Sequence, residues 1–334
     1  MKYLSLFSGI GGFELGIGEE HECIGYSEID KYAIQVYNKH FNHKNYGDIT
    51  TIIASELPDF DLLVGGFPCQ AFSIAGKRRG FDEARGTLFF DIARILADKK
   101  PRHFILENVK GLLSHDGGAT FTTIIRILSS MGYFVEWQVL NAKNFGVPQN
   151  RERVFIVGHL GGQPTRKVFP ITGSNPKTPN QIIGGGQGNR VYGTDGVSTT
   201  QASQAGGQGA KTGLYAVLTP DRPTKRQNGR RIKEDGEPSF TLTGQDIHGV
   251  AVGHSVRVGG KGSFGKKQNW DSYRDGMRIR RLTPLECERL MAYPDNWTAE
   301  GTEGKISDTQ RYKMCGNGIV SNVVAEVVKR IINN

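Results

Sequence analysis

Cys69 stands in the tetrapeptide Phe67, Pro68, Cys69, Gln70, just after the apolar run Asp61 to Val64 and the pair Gly65, Gly66. A thiol there lies past the end of a predicted strand, where an open α/β sheet carries its reactive groups. Glycines allow close approach of backbone and proline fixes the turn, so the cysteine is held rigidly, and a thiol is readily made nucleophilic near neutral pH. Read alone, it is equally a small buried filler. Two further groups sit at predicted strand ends: Glu107, after His103 to Leu106 and before Asn108 and Val109, and the run Arg151, Glu152, Arg153. A glutamate so placed can give a proton or hydrogen bond to a ring nitrogen, and arginines two apart on extended chain point the same way. Each could be a structural ion pair; together with Cys69 they form a constellation.

A second site begins where the first predicted strand ends, in Phe7, Ser8, Gly9, Ile10, Gly11, Gly12, and the acid Glu28 closes the second strand. Such a pair cradles a nucleoside, glycines admitting the ligand and the carboxylate accepting from ribose hydroxyls. The dinucleotide fingerprint wants glycine or alanine at position 14. Glu14 is expected to crowd and charge the place of a pyrophosphate, which favours a cofactor without phosphates.

The elements that must position these groups alternate along the first half. Strand-like runs at Tyr3 to Phe7, Glu22 to Ser27, Asp61 to Val64, His103 to Leu106, Tyr133 to Leu140 and Arg153 to Val157 are separated by helical patterns at Lys31 to Phe41, behind Asp30 as a cap, and Thr87 to Ala97. This predicts an α/β fold with a mostly parallel, doubly wound sheet. After Gly161 the periodicity fails, and Gly184 to Gly213 is rich in Gly, Gln, Ser and Thr, so a smaller, loop- and β-rich domain is expected. The division read here is 1–165 with 300–334, and 166–299. Inside the second unit, Arg190 to Thr200 lines up with Arg230 to Phe240, and GLYAV at Gly213 is echoed by GVAV at Gly249. These suggest two related strand–turn–strand units.

The 334 residues, 37% of them hydrophobic, suffice for a large core. No long uncharged apolar run is present, so neither a membrane span nor a signal peptide is expected, and a cytoplasmic location follows. Cys23, Cys69, Cys287 and Cys315 are scattered, which speaks for free thiols and against a metal site. The net charge of +9 comes wholly from the part after residue 160. Basic side chains interleaved with Gly, Ser, Thr, Gln and Asn suit contact with phosphates and base edges.

The motifs FSGIGG, SEID, GDIT, GFPCQAFS, RGTLFFDIARI, ENVKG, QNRERVFIVG and CGNGIVSNV occur in the order found in bacterial and phage C5 cytosine DNA methyltransferases, and the chain resembles that family over nearly its whole length. Its segments GGQGNRVYGTDG and AKTGLYAV resemble those of members specific for GCGC. The resemblance implies a Rossmann-like, S-adenosylmethionine-dependent catalytic domain and a target-recognition domain across a cleft for double-stranded DNA. It implies that Cys69 attacks carbon 6 of a flipped-out cytosine, Glu107 holds ring nitrogen 3 and the exocyclic amine, Arg153 binds the ring carbonyl and Arg151 lies near the base or its phosphate. No metal is implied. S-adenosyl-L-homocysteine would be the product.

For the cofactor the resemblance implies Phe7, Ser8, Gly9, Gly11, Gly12, Glu28, Ile29, Asp48, Ile49, Gly66, Pro68, Leu88, Asn317, Gly318 and Ile319, with the helix Ile319 to Ile332 returning to the catalytic domain. For DNA it implies Ser73, Lys77, Arg78 and Arg79 in a closing loop, and Gln187, Arg190 and Thr200 in the recognition unit. Ile29, Gly318 and Ala75 depart from the commoner tryptophan, serine or alanine, and serine. The second repeat, Arg230 to Val252, has no counterpart in the GCGC-specific members, so their four-base specificity does not carry over. A site containing GC is the expectation, with a monomer acting and a restriction endonuclease as a genetic partner. A transfer-RNA substrate for the same chemistry, a nicotinamide-dependent oxidoreductase and a nonenzymatic DNA-binding protein stand as alternatives.

Overall fold

The computed structural model describes residues 1–68, 88–173, 181–183, 191–192, 198–199, 249–253 and 277–332. At its centre lies a sheet of β1 (Lys2–Leu6), β2 (Glu22–Ser27), β3 (Leu62–Gly66), β4 (His103–Val109) and β5 (Tyr133–Asn141), completed, after the short β6 (Gln149–Asn150), by β7 (Glu152–Leu160). The order is β2-β1-β3-β4-β7-β5, with β1 to β4 mutually parallel and β7 antiparallel to both its neighbours. All six predicted strands are present.

Period-two alternation explains why this sheet is covered on both faces. Tyr3, Leu62, Val64, Ile105, Phe155 and Val157 point to one core, while Leu4, Leu6, Leu63, Phe104, Leu106, Val154 and Ile156 point to the other. The helices are α1 (Gly12–Ile17), α2 (Lys31–His40), α3 (Leu88–Lys99), α4 (Ala119–Ser130), α5 (Pro284–Leu290), α6 (Asp308–Asn317) and α7 (Ser321–Ile332). α1, α2 and α7 bury their apolar stripes in the first core, and α3 and α4 in the second. In α3 the stripe is Phe89, Ile92, Ala93 and Leu96, the spacing of one helical face. Asp30 caps α2, accepting from the Tyr32 and Ala33 amides at 2.9 and 3.2 Å. Such a cap contributes about 1 kcal/mol.

The C-terminal segment is built into the same body. Thr283 and Glu286 form a reciprocal capping box at the start of α5, with Pro284 in the first turn. α7 lies against α1 where Gly16 has no side chain; a Cβ there would stand 2.6 Å from the Ser321 carbonyl oxygen. Leu282, Leu290, Met291, Tyr293 and Trp297, read from sequence as part of the recognition unit, pack in the first core with Ile10 and Phe13, and so do Val168, Phe169 and Ile171. These residues lie on the far side of the boundaries read at 165/166 and 299/300. Loop-rich composition hid these few apolar anchors.

Between 181 and 281 the described strands are β8 (Gln181–Ile183) paired with β9 (Val191–Tyr192), β10 (Ser198–Thr199) beside β6, and β11 (Gly249–Gly253) antiparallel to β12 (Met277–Arg281). The short β13 (Glu300–Gly301) and β14 (Gly304–Lys305) form a hairpin against α2. The reading of two repeated units falls mostly outside the described residues.

Candidate active site

The parallel pairing of β3 and β4 sets Gly66 directly beside Glu107. A Cβ on Gly66 would come 3.1 Å from Glu107 Oε2, so the glycine makes room for this carboxylate. Antiparallel pairing of β4 with β7 brings up Arg153, whose Nε lies 3.0 Å from Glu107 Oε1. Both side chains are nearly buried. Burial pushes the Glu107 carboxyl above the ordinary carboxylate range, outweighing Arg153 and Arg151, which pull it down. A carboxyl so poised can donate to a ring nitrogen while its other oxygen stays on the guanidinium.

Asn108 ties the cysteine segment to this pair. Its Nδ2 donates to the Phe67 carbonyl at 2.9 Å, and its Oδ1 accepts from the Val109 amide at 2.8 Å. Phe67 is buried against Phe89, and Pro68 is exposed. The chain thus leaves β3 anchored on β4 one residue before Cys69. Cys69 itself, Ser73, Lys77, Arg78, Arg79, Gln187, Arg190 and Thr200 lie outside the described residues.

Arg151, expected near the base, is buried, and its Nη2 donates to the Gly318 and Gly316 carbonyls at 2.7 and 3.2 Å. In these contacts it braces the turn after α6. Arg151 and Arg153 also line a small cavity with Leu140, Phe155, Ile319 and Val323, so both arginines share one wall.

At the ends of β1 and β2, Phe7, Gly9 and Gly11 adopt positive φ angles of 54°, 55° and 85°. For Phe7 this is a strained conformation of the kind that clusters at ligand sites. Nothing lies within 4 Å of where a Gly9 Cβ would be, so the turn is open on that side. Glu28 accepts from the amides of Gly9 (2.8 Å), Ile29 (2.8 Å) and Asp30 (2.9 Å). Beside it Ile29 is 71% exposed, an apolar side chain with nothing over it among the described residues. Asp48 is exposed and caps the turn Ile49–Thr51 through Oδ1. Asn317 is exposed at the end of α6. An open glycine turn, a carboxylate at a strand end and an exposed apolar face fit an adenosine group.

Other residues assigned to the cofactor face inward. The Ser8 hydroxyl donates to Ser5 Oγ at 2.8 Å. Ile49 and Ile319 are buried, and Leu88 packs on the second core. A Cβ on Gly11 would meet the Phe41 ring; on Gly12, the Tyr293 hydroxyl and Ile319; on Gly318, the Tyr293 hydroxyl at 2.9 Å. These glycines serve close packing as well as the turn. Glu14 also differs from expectation: it is buried, accepting from the Tyr37 hydroxyl at 2.9 Å, and does not crowd a phosphate position. Its place in the first turn of α1 aims it at β1 and α2.

Two residues absent from the sequence reading hold the glycine turn. Trp297 Nε1 donates to the Ile10 carbonyl at 2.8 Å, and the Tyr293 hydroxyl to the Ile319 carbonyl at 3.1 Å. His40 stacks on Trp297 at 3.5 Å. Partners so distant in sequence leave no local signal. Among the described residues no cluster of His, Cys, Asp or Glu could hold a metal ion, and no helix is long and apolar enough to cross a membrane.

Comparison with known proteins gives a family. The model of the C-5 cytosine-specific DNA methylases matches residues 1–333. The orphan methyltransferase M.SPRI of Bacillus phage SPR is 32% identical over all of this chain and 98% of its own length. The type II methyltransferase M.HhaI of Haemophilus parahaemolyticus is 32% identical, over 99% of this chain and 94% of its own. Among solved structures, S. pombe Dnmt2 methyltransferase superposes with a TM-score of 0.63 at 16% identity, covering 100% of this chain and 98% of that one. That likeness speaks for the fold.

Proposed function

The chain belongs to the C-5 cytosine-specific DNA methylase family, and from that premise we propose that it methylates carbon 5 of a flipped-out cytosine in a short duplex DNA sequence, with Cys69 as nucleophile and S-adenosylmethionine as methyl donor. The observation that carries this reading is the buried Glu107–Arg153 pair at the end of β4, beside the strand end from which Phe67 and Pro68 lead to Cys69.

Each group has one task. The Cys69 sulfur forms a bond to carbon 6 of the base, and the electron pair of the 5,6 double bond is pushed toward nitrogen 3. Glu107, whose carboxyl burial shifts toward the protonated form, gives that nitrogen a proton or strong hydrogen bond, and Arg153 offsets charge on the ring carbonyl. Carbon 5 thereby becomes nucleophilic. Bound S-adenosylmethionine supplies an electrophilic methyl group on a sulfonium sulfur; Glu28, Ile29, Asp48, Phe7 and Asn317 would hold its adenosine. Once carbon 5 is methylated its proton leaves, the sulfur–carbon 6 bond breaks, and the 5,6 double bond returns. A free thiol of pKa about 8.5 is only a few per cent thiolate at neutral pH, so DNA binding completes the activation of Cys69.

Extruding the base costs a few kcal/mol of stacking and pairing, which contacts from the basic second half offset. We assign Arg151 a bracing role, through Gly316 and Gly318. β10 next to β6 places the segment leading to Thr200 beside the arginine run, which supports a recognition unit abutting the base pocket. The activity belongs in the bacterial cytoplasm, where the DNA is. Full-length family matching to DNA methylases favours DNA over transfer RNA.

Incubating the protein with unmethylated genomic DNA and methyl-labelled S-adenosylmethionine tests the reading. Labelled 5-methyldeoxycytidine in one sequence context, absent with Cys69→Ala, is the expected result. Label in transfer RNA alone would refute the DNA substrate.

A further inference from the structure

Under the cofactor turn lies a buried polar cluster that the methylation chemistry does not use. Glu14 is 3% exposed; its Oε1 accepts from Tyr37 Oη at 2.9 Å, and its Oε2 is buried with no hydrogen-bond partner. On one side the Ser5 hydroxyl faces the carboxyl. Ser5 Oγ in turn receives the hydroxyl of Ser8, which stands in the glycine turn. On the other side Tyr37 Oη is also 2.9 Å from His43 Nδ1, at the half-buried end of the chain of contacts. The titratable groups around the carboxyl are Tyr3 from β1, Cys23 and Tyr26 from β2, Tyr37 from α2, His43 beyond it, and Tyr293 from the C-terminal segment. Among the described residues none of these is a lysine or arginine.

Geometry therefore sets Glu14 in a buried site with two hydroxyl neighbours and no lysine or arginine among the groups around it. An ionised carboxylate there would have hydroxyls and an amide near it but no countercharge, and burying an uncompensated charge is far more costly than burying a neutral acid. Its cheapest relief is to recruit donors by moving Ser5 and Ser8, or to admit water beneath the turn. Either displaces the backbone that binds the cofactor.

We propose that Glu14 is a positioning residue for the glycine turn that acts as a neutral acid, coupling S-adenosylmethionine affinity to pH through the chain Ser8, Ser5, Glu14, Tyr37, His43. The inference rests on the assignment of the turn to that cofactor. Burial pushes the carboxyl up to about 7, so the coupling falls at physiological pH. Burial raises Tyr3, Cys23 and Tyr37 and lowers His43, favouring the neutral form of each and leaving Glu14 as the group that switches.

Calorimetric binding of S-adenosyl-L-homocysteine to the full chain between pH 6 and pH 8 tests this. The wild type should lose up to about tenfold in affinity across that interval, the limit for one linked group that titrates near its middle. Glu14→Gln, which mimics the neutral acid, should bind at pH 8 as the wild type does at pH 6, with no slope. Titration of the ligand's own amine is common to both proteins and cancels. Tyr37→Phe keeps the ring and removes the donor to the carboxylate, so its loss of affinity should move to higher pH. A wild type without slope, or the same slope in Glu14→Gln, overturns the proposal, as does an unmoved transition in Tyr37→Phe. Absence of binding at every pH would overturn the cofactor assignment itself and this inference with it.

Discussion

At the residue scale the account turns on a glutamate whose partner is an arginine and whose burial exceeds what that partner offsets. Glu107→Gln should fold, since the amide keeps one acceptor for Arg153, and should lose about 10²- to 10⁴-fold in methyl transfer, the usual worth of a positioned acid. Single-turnover assays with saturating DNA check this. Arg153→Ala is a different experiment: it strands a buried carboxylate, which costs about 3 to 5 kcal/mol and should show first as a lowered urea midpoint. Legibility at this scale was uneven. The strand-end places of Glu107 and Arg153 and the Asp30 cap were readable because residue type at an element's end is tied to local structure. The inward turn of Glu14 and Ser8 was not, because a short helix of six residues hides which face it buries. Arg151 sits two residues from Arg153, yet its described bonds run to Gly316 and Gly318, which alternation along the strand does not foretell.

Elements were more legible than residues, because the inner strands β1, β3, β4 and β7 are buried on both faces and read as short apolar runs. What sequence could not show is which segments touch. Gly16 illustrates the difference. In a solvent-facing helix, Gly→Ala gains about 1 kcal/mol, but here a Cβ would press on Ser321 and Val324 of the adjoining segment. Overpacking costs about 1 to 3 kcal/mol, so Gly16→Ala should destabilise the protein in urea unfolding against the helix-propensity trend. The junction of β4 and β7 carries another prediction. His103 Nδ1 and His159 Nδ1 lie 3.0 Å apart, both buried, and burial lowers both pKa values, His103 to about 4. Neutral histidines are favoured in the folded state, so their contribution is intact above about 6.5 and is lost as pH falls toward 4. His103→Asn should weaken that acid sensitivity in thermal unfolding followed from pH 7 to pH 4.

For the whole molecule, the division of charge was legible while the packing of distant segments on one another was not. The basic excess after residue 160 predicts a DNA affinity that drops steeply with salt, about 10³- to 10⁵-fold between 50 and 200 mM if six to ten phosphates are contacted. Filter binding at several salt concentrations reads that slope directly. The packing of Val168, Phe169, Leu282 and Trp297 escaped because they are isolated apolar residues in polar sequence, and only folding gathers them into the first core. That gathering gives the C-terminal segment a function: Tyr293 and Trp297 clamp the glycine turn, while the turn after α6 receives Arg151. The glycine turn and the wall of Arg151 and Arg153 thus share one buttress.

The most direct test is covalent capture. Duplex DNA made with fluorine at carbon 5 of every cytosine lacks the proton whose loss permits release of Cys69, so one turnover with S-adenosylmethionine should leave protein joined to DNA. The expected adduct maps by peptide mass spectrometry to Cys69 and is absent in Cys69→Ala. Methylation of ordinary DNA without any such adduct, or an adduct at another residue, would contradict it.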